Sequence, residues 1–310
     1  MSKLFVVFGV TGQQGGGLIN YLLQHPKFSD VYRLRGITRD PSKPAAKRLI
    51  ERGVEIVQAD LSDPQSLPSA VEGADVVFSV TNIWDTGDAE LEEAQGKAVA
   101  DAARAAGVSQ FIWSSLPSIN KITGGRVTNF LHFESKARVE EHVRSLGFPY
   151  TVFFWAGWYM QNAKNSVFPP HLESSEGEIV LPLAWPDNME MAYIDIDDIG
   201  KYLAPALRDP ARWNGKKVIG ATAFYTAKEA TDTWSRVTGK KVRYATLEEL
   251  PPSSGSFIEE NVYRPNPVLI EVGYFGKDGH AELERLKSQL DEELNTWESY
   301  LKKNGPWFES

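Results

Sequence analysis

The chain has 310 residues, a length that suits one large domain or two. Hydrophobic residues make up 42% and charged residues 24%, so the chain is too apolar to be disordered throughout. The absence of cysteine excludes a disulfide scaffold, a thiolate zinc site and a cysteine nucleophile. With 41 acidic and 33 basic residues the net charge is −8, which disfavours direct binding of nucleic acid.

The sequence shows no candidate for a membrane anchor. The N-terminal apolar run, 4–8, stops at Gly9 and is far shorter than the roughly 20 residues that span a bilayer. It also lacks the layout of a secretory signal peptide. We therefore expect a soluble, cytoplasmic protein that has neither a membrane nor a nucleic acid as a partner.

The first half of the chain alternates short apolar runs with segments of helical pattern. Strands are predicted over 4–8, 31–38, 54–58, 75–80, 110–114 and 150–154. Helices are predicted over 18–23, 44–52, 63–72, 89–106 and 133–146, and a glycine follows most of them. Strands that alternate with helices indicate right-handed crossovers and a parallel sheet. The predicted fold class is therefore α/β, a Rossmann doubly wound parallel sheet.

Beyond about residue 155 the alternation is less regular. Helical patterns are predicted after Asp195, over 224–237 and over 281–303. We expect residues 1–155 to form the Rossmann domain. Residues 156–310 are expected to form a smaller C-terminal α/β lobe, interleaved with the first domain, that contacts a substrate or partner.

A glycine pattern, GxxGxxG, lies directly between the first strand and the first helix. In this context the first glycine allows a tight turn, the second lets the backbone approach a pyrophosphate, and the third lets helix and strand pack closely. Amides at the helix start would bind the anion. The alternative is a glycine-rich turn without a ligand. The candidate cofactor contacts here are Gly9, Val10, Thr11, Gly12, Gln13, Gln14 and Gly15.

The residues after the second strand indicate which dinucleotide would bind. NAD-binding domains usually carry an acidic residue there for the ribose 2′-hydroxyl, whereas here Thr38 ends the strand and Arg39 follows. A guanidinium can bind a 2′-phosphate through two hydrogen bonds, and Lys43 adds a second positive charge. The sequence therefore favours NADP(H) over NAD(H), the alternative being a solvated basic turn. Asp60, after the third strand, is predicted to meet the adenine.

The helix predicted after the fifth strand carries the candidate catalytic residues. Short-chain dehydrogenases use a Tyr-x-x-x-Lys motif on the helix after the fifth strand, where the lysine lowers the pKa of the tyrosine that transfers the proton. Here the lysine is present as Lys136, but His132 stands at the tyrosine position. Either His132 and Lys136 are catalytic residues, with the histidine as the acid, or the site binds a cofactor without efficient hydride transfer, or His132 is structural. The histidines show no metal-ligand spacing, so no metal is expected.

Six segments, in order, resemble the NmrA-like family of atypical short-chain dehydrogenase/reductases, and most closely its NADPH redox-sensor members. The segments are 8–16, 38–43, 80–85, 95–97, 132–142 and 158–162. The resemblance implies that the glycine turn holds the pyrophosphate and that Arg39 and Lys43 hold the 2′-phosphate. It also implies that the adenine is bordered by Asp60 and Leu61, the nicotinamide side is lined by Thr81, Asn82 and Ile83, and the nicotinamide end is closed by Lys136, Tyr159, Met160, Gln161 and Asn162.

The resemblance also implies a function. Regulators of this family bind protein partners according to cofactor state, and for the repressor members the partner is a GATA-type transcription factor, which adds the nucleus as a location. We therefore predict an NADP(H)-binding redox sensor or regulator. The alternatives are an NADPH-dependent reductase of a small molecule and, less favoured, an interaction scaffold with a vestigial pocket. The helix predicted over 281–303 is expected to pack on its own domain, with a partner or homodimer surface as the alternative.

Overall fold

The structure is a computed structural model, and it describes residues 2–164, 172–173, 177–264 and 267–308. The contacts group into two compact units, each assembled from separate stretches of chain. The first unit comprises Met1–Ala156, Ile196–Gly220 and Ser288–Glu292. The second unit comprises Gly157–Asp195, Ala221–Lys287 and Glu293–Ser310.

The strands are numbered in chain order. They are β1 (Lys3–Phe8), β2 (Tyr32–Thr38), β3 (Glu55–Gln58), β4 (Val76–Ser79), β5 (Gln110–Ser115), β6 (Tyr150–Ala156), β7 (Trp158–Tyr159), β8 (Leu172–Glu173), β9 (Ile179–Leu181), β10 (Glu190–Ile194), β11 (Lys216–Gly220), β12 (Ala223–Thr226) and β13 (Val242–Tyr244).

The helices are numbered in the same way. They are α1 (Gln13–Gln24), α2 (Pro26–Ser29), α3 (Pro44–Glu51), α4 (Leu67–Val71), α5 (Ala89–Ala105), α6 (Ile119–Ile122), α7 (Leu131–Ser145), α8 (Ile199–Arg208), α9 (Pro210–Trp213), α10 (Ala227–Thr238), α11 (Val268–Val272), α12 (Gly279–Lys287) and α13 (Trp297–Asn304). Short 3₁₀ turns occur at Pro64–Ser66, Ile83–Asp85, Met160–Lys164 and Ile196–Asp198, and a π-helical turn at Glu259–Tyr263. Among the described residues, no helix has the length and apolar character needed to cross a membrane.

The first unit is built on a seven-stranded sheet in the order β11-β6-β5-β4-β1-β2-β3. All neighbouring strands run parallel. Strand β1 lies inside the sheet, and its side chains from Leu4 to Phe8 are all buried, as expected for a strand covered by helices on both faces. The α/β Rossmann prediction is confirmed.

Helix α1 begins earlier than predicted, at Gln13 rather than Leu18, so the later glycines of the predicted turn are helical. Glycine is required at two of these helical positions because the helix packs closely against neighbouring backbone. A Cβ at Gly15 would lie 2.7 Å from the Gly9 carbonyl carbon, and a Cβ at Gly17 would lie 2.8 Å from the Ile196 carbonyl oxygen. Glycine is a poor helix former, but here tertiary packing overrides that preference.

The predicted helix over 224–237 is wrong at its start. Residues 223–226 form strand β12, which pairs antiparallel with β10. The helix α10 begins at Ala227 because Thr226 and Glu229 form a capping box that fixes its first turn.

The single helix predicted over 281–303 is also wrong. The structure has two helices, α12 and α13, with a non-helical segment between them. In that segment Asp291 pairs with Arg208, and Glu292 accepts a hydrogen bond from Tyr21 at 2.5 Å. These polar contacts hold Ser288–Glu292 on the first unit and so interrupt the helical pattern.

The second unit contains two small sheets, ordered β12-β10-β7 and β13-β9-β8. Its core is rich in aromatic rings that meet edge to face. Trp297 packs against Tyr193 and Trp234, with centroids 5.3 Å apart in both pairs. The Tyr193 and Tyr244 hydroxyls lie 3.1 Å apart within this core.

Candidate functional site

The turn between β1 and α1 leads into an exposed helix start. Gly9 adopts φ +64°, a left-handed conformation that favours glycine, and the Gly12 amide donates to its carbonyl at 2.9 Å. No side chain caps the helix at Gly12, and the first turn of α1 carries no acidic residue. Thr11, Gly12 and Gln13 are exposed. The helix therefore begins with open donors and an uncompensated positive end.

The donors at this turn fit a pyrophosphate. Gly15 permits the close approach of helix to loop, because a side chain there would strike the Gly9 carbonyl. Gly12 leaves the mouth of the turn without a side chain. The arrangement is an anion cradle of exposed amides at a helix N-terminus, in the position where the sequence predicted the cofactor phosphates.

The predicted 2′-phosphate residues lie at the same edge of the sheet. The Val10 amide donates to the Ile37 carbonyl at 3.4 Å, which joins the glycine turn to the end of β2. Arg39 follows directly, with 69% of its side chain exposed. Lys43 is also exposed and directly precedes α3. The guanidinium of Arg39 forms an ion pair with Asp85, at 3.3 Å between Nη2 and Oδ2, a contact that the sequence did not indicate.

The residues predicted to border the adenine follow β3. The Ala59 amide donates to the Thr38 carbonyl at 3.2 Å, so the ends of β2 and β3 are joined. Asp60 and Leu61 are half-buried. The Asp60 carboxylate accepts from the Ser62 amide at 2.9 Å, which fixes the turn. Both residues thus lie at the carboxyl edge of the sheet, and their contact with the adenine stays a prediction.

A buried polar network lies beyond β4. Glu92 on α5 is 1% exposed, and its carboxylate accepts hydrogen bonds from the Thr81 hydroxyl at 2.8 Å and from the Ser135 hydroxyl. Lys136 on α7 is 12% exposed and lies 2.8 Å from Glu92, measured from Nζ to Oε1. The sequence did not single out Glu92, because Glu90 and Glu93 are acidic residues of the same helix and the sequence does not show which of the three is buried.

Three acceptor atoms of this network lie within hydrogen-bond distance of the Lys136 Nζ. Besides Glu92, Nζ lies 3.0 Å from the Thr81 carbonyl oxygen and 3.2 Å from the Thr81 hydroxyl oxygen. Burial alone would raise the pKa of Glu92, but the Lys136 charge and the hydrogen bonds from Lys136, Ser135 and Thr81 lower it overall. The lowered pKa favours the ionised form of Glu92, and the Lys136 ammonium group is directed at the protein's own groups.

His132 lies among aromatic rings. It is 8% exposed, with its ring centroid 4.5 Å from Phe130, 4.9 Å from Phe133 and 5.3 Å from Trp84. Trp84 lies in the 3₁₀ turn Ile83–Asp85, which follows Asn82. Asn82 and the buried Ile83 are two of the residues predicted to line the nicotinamide side. The histidine is thus packed as an aromatic residue in the first turn of α7.

The remaining predicted contacts, Tyr159, Met160, Gln161 and Asn162, belong to the second unit. Met160 is buried, and the Gln161 amide donates to the buried Asp195 at 2.6 Å. Asp195 also accepts from Asn295 at 2.9 Å. Gln161 therefore stabilises the second unit, and the role of this segment at the nicotinamide end stays a prediction.

The sequence model of the NmrA-like family matches residues 1–301. An NmrA-like family domain-containing protein of Dictyostelium discoideum is 30% identical over 98% of this chain and 98% of its own length. The chain belongs to the NmrA-like family. Another member, an NmrA-like family domain-containing oxidoreductase of Aspergillus hancockii, is 33% identical over 80% of this chain and 76% of its own length.

Two solved structures share the NmrA-like fold of this chain. One is the negative transcriptional regulator NmrA in complex with NAD, with a TM-score of 0.79, 21% identity, and coverage of 97% of this chain and 95% of that chain. The other is the Citrobacter sp. triphenylmethane reductase complexed with NADP(H), with a TM-score of 0.71, 20% identity, and coverage of 98% and 99%. Because the sequence identities to both structures are low, these comparisons establish a shared fold and not a shared activity.

Proposed function

We propose that this chain binds NADP(H) on the first unit and acts as a redox sensor or regulator through cofactor-dependent protein interaction. The observation that carries the proposal is the exposed, uncapped start of α1 beside Arg39 at the end of β2. The amides would hold the pyrophosphate, and Arg39 with Lys43 would hold the 2′-phosphate. Asp60 and Leu61 would border the adenine.

The geometry around Lys136 favours regulation over catalysis. A bound nicotinamide ring supplies hydride chemistry, but a reductase of the short-chain type also needs a proton donor activated by a free lysine. Here the Lys136 donors are used by Glu92 and Thr81, and His132 is packed among aromatic rings. The residues that would complete proton transfer are thus committed to packing and pairing within the first unit.

A regulator of this kind would transmit cofactor state to a protein partner. A cofactor can shift such an equilibrium only if its affinity differs between the free and partner-bound states. The partner we propose is the one that the family resemblance implies, a GATA-type transcription factor, which would place the protein in both cytoplasm and nucleus. The net charge of −8 disfavours direct contact with DNA, so the effect would act through the partner.

A second candidate function is an NADPH-dependent reductase of a small molecule. It is favoured by the Aspergillus hancockii relative, which is 33% identical and named an oxidoreductase. Half-buried aromatic residues of the second unit, Trp158 and Tyr159, could contact an apolar substrate. This candidate requires Lys136 to leave Glu92, or a substrate that needs no proton from the protein.

Calorimetric titration with NADPH, NADP⁺, NADH and NAD⁺ tests cofactor binding. We expect tighter binding of the 2′-phosphorylated pair, and loss of that preference in Arg39→Ala. Arg48→Ala, which removes an exposed arginine of α3, is the matched control and should keep it. Absence of binding by all four dinucleotides would contradict the proposal.

A turnover assay separates the two candidates. NADPH consumption is followed with quinone and triphenylmethane dye acceptors, in the chain and in Lys136→Ala. Sustained turnover by the unchanged chain would support the reductase and contradict the sensor, and its loss in a Lys136→Ala variant that circular dichroism shows to be folded would place the lysine in the reaction. Tight binding of NADPH without turnover, together with partner capture that differs between NADPH and NADP⁺, is the result expected for a sensor.

A further inference from the structure

The residue predicted to recognise the 2′-phosphate already has an anionic partner. Arg39 Nη2 lies 3.3 Å from Asp85 Oδ2, and the two side chains are 69% and 45% exposed. The Arg39 carbonyl accepts from the Gln58 side-chain amide at 3.0 Å, which holds its backbone at the end of β2. Both charges are therefore open to a ligand arriving from solvent.

Asp85 is held in place by contacts within its own turn. Its Oδ1 accepts from the Asn82 side-chain amide at 2.6 Å, and its backbone amide donates to the Asn82 carbonyl at 3.3 Å. The 3₁₀ turn Ile83–Asp85 is anchored by Ile83, which is 1% exposed. These contacts restrain the carboxylate beside Arg39.

Two physical effects follow for a ligand with a 2′-phosphate. A phosphate that takes Nη2 as one of its two donors must displace Asp85 from that nitrogen, because bidentate binding uses two parallel N–H donors. The fixed carboxylate also repels a dianion bound at the same arginine. A ligand with a free 2′-hydroxyl meets neither effect, since it does not need the guanidinium.

We infer that Asp85 is a specificity-determining residue that weakens the binding of 2′-phosphorylated dinucleotides relative to NAD(H). The inference rests on the proposed function, since it assumes that a dinucleotide binds the first unit. Recognition of the 2′-phosphate then involves an exchange of partners, in which Arg39 leaves Asp85 for the phosphate. The opposite role, in which Asp85 orients Arg39 and so strengthens phosphate binding, gives the opposite sign in the test.

The test compares four forms of the full chain: unchanged, Asp85→Asn, Arg39→Ala and the double variant. Calorimetry measures the affinities for NADPH, NADH, 2′,5′-ADP and 5′-ADP. Asp85→Asn should strengthen binding of NADPH and 2′,5′-ADP by about threefold to tenfold, the size of one partly solvated charge contact. Binding of NADH and 5′-ADP should stay within about twofold, because neither uses Arg39. In the Arg39→Ala background the effect of Asp85→Asn should shrink, since the competition is gone.

Glu90→Gln is the matched control, because it removes an exposed carboxylate from the start of the helix that follows the turn. It should leave the ratio of NADPH to NADH affinity unchanged. The inference is wrong if Asp85→Asn weakens NADPH binding, or if it changes NADPH and NADH equally. If the unchanged chain binds no dinucleotide, the proposed function fails instead. Circular dichroism and thermal unfolding establish that each variant is folded.

Discussion

Lys136 and Glu92 form an ion pair whose members come from neighbouring helices, α7 and α5, and are both nearly removed from solvent. The Nζ–Oε1 distance is 2.8 Å, and the side chains are 12% and 1% exposed. A buried ion pair contributes little net stability over an apolar pair, but loss of one partner leaves an uncompensated charge in the interior. The pair therefore fixes the position of the lysine more than it strengthens the fold.

The first prediction concerns removal of the lysine. Lys136→Met should lower the free energy of unfolding by about 3–5 kcal/mol, because Glu92 is left buried without its counter-ion. Urea unfolding followed by fluorescence measures the change. The double variant Lys136→Met/Glu92→Met should be less destabilised than the sum of the two single variants.

Lys97→Met is the control for this prediction. Lys97 pairs with Glu93 one turn further along the same helix, but its side chain is 39% exposed. A pair of this kind is worth less than about 1 kcal/mol. Equal losses in Lys136→Met and Lys97→Met would show that burial does not set the energy of the Glu92 pair.

The second prediction is a pH dependence. The pKa of Glu92 is lower in the folded chain than its ordinary value of 4.5, so its ionised form stabilises the fold. This contribution is fully present above pH 4.5 and is lost as the pH falls through the lowered folded pKa. The stability difference between the unchanged chain and Glu92→Gln should therefore be constant near neutral pH and decrease in acid. A difference that grows in acid would contradict the direction of the shift.

The third prediction uses two adjacent glycines of α1. Gly15→Ala should destabilise the chain by more than about 1 kcal/mol, since its methyl group would strike the Gly9 carbonyl. Gly16→Ala should be neutral or stabilising by up to about 1 kcal/mol, because its Cβ would lie 3.5 Å from the Val10 carbonyl oxygen, an ordinary contact. Thermal unfolding ranks the two variants. Similar losses of stability in both variants would contradict the role of close packing, because only Gly15 has a neighbour that a methyl group would strike.

The fourth prediction separates packing from proton transfer at His132. Phenylalanine keeps the aromatic contacts with Phe130 and Trp84, so His132→Phe should change the unfolding free energy by less than about 1.5 kcal/mol. NADPH affinity should stay within about twofold. His132→Ala, which leaves a cavity, should be clearly less stable. A stable His132→Phe variant that loses an NADPH turnover present in the unchanged chain would identify the histidine as a catalytic acid.

The central part of the fold was predictable because its signals are local. The apolar run of β1, the glycine after it and the glycines that end several helices indicate strands separated by helices, and this order permits few topologies. The same local signals place Arg39 directly after β2 and Asp60 two residues after the end of β3, at one edge of a parallel sheet. Their contact with a cofactor stays a prediction.

The features that escaped prediction depend on contacts distant in sequence. Asp85 is one of several exposed carboxylates, and its pairing with Arg39 follows from the adjacency of β1 to both β2 and β4. The break between α12 and α13 likewise follows from Tyr21 and Arg208, far upstream in the chain. The predicted helix over 281–303 includes Leu290 and Leu294 at helical spacing, and periodicity alone could not show that both lie in a non-helical segment.

The order of the strands bears on how the chain is made. Strand β6 pairs with β11 on its outer side, yet β11 follows the whole stretch Gly157–Asp195, which belongs to the other unit. During synthesis on the ribosome, β6 therefore emerges with an unpaired edge and keeps it until β11 has been made. An edge of this kind is a site where nascent chains associate wrongly. We therefore expect the nascent chain to be most prone to wrong association after β6 has emerged and before β11 has been made.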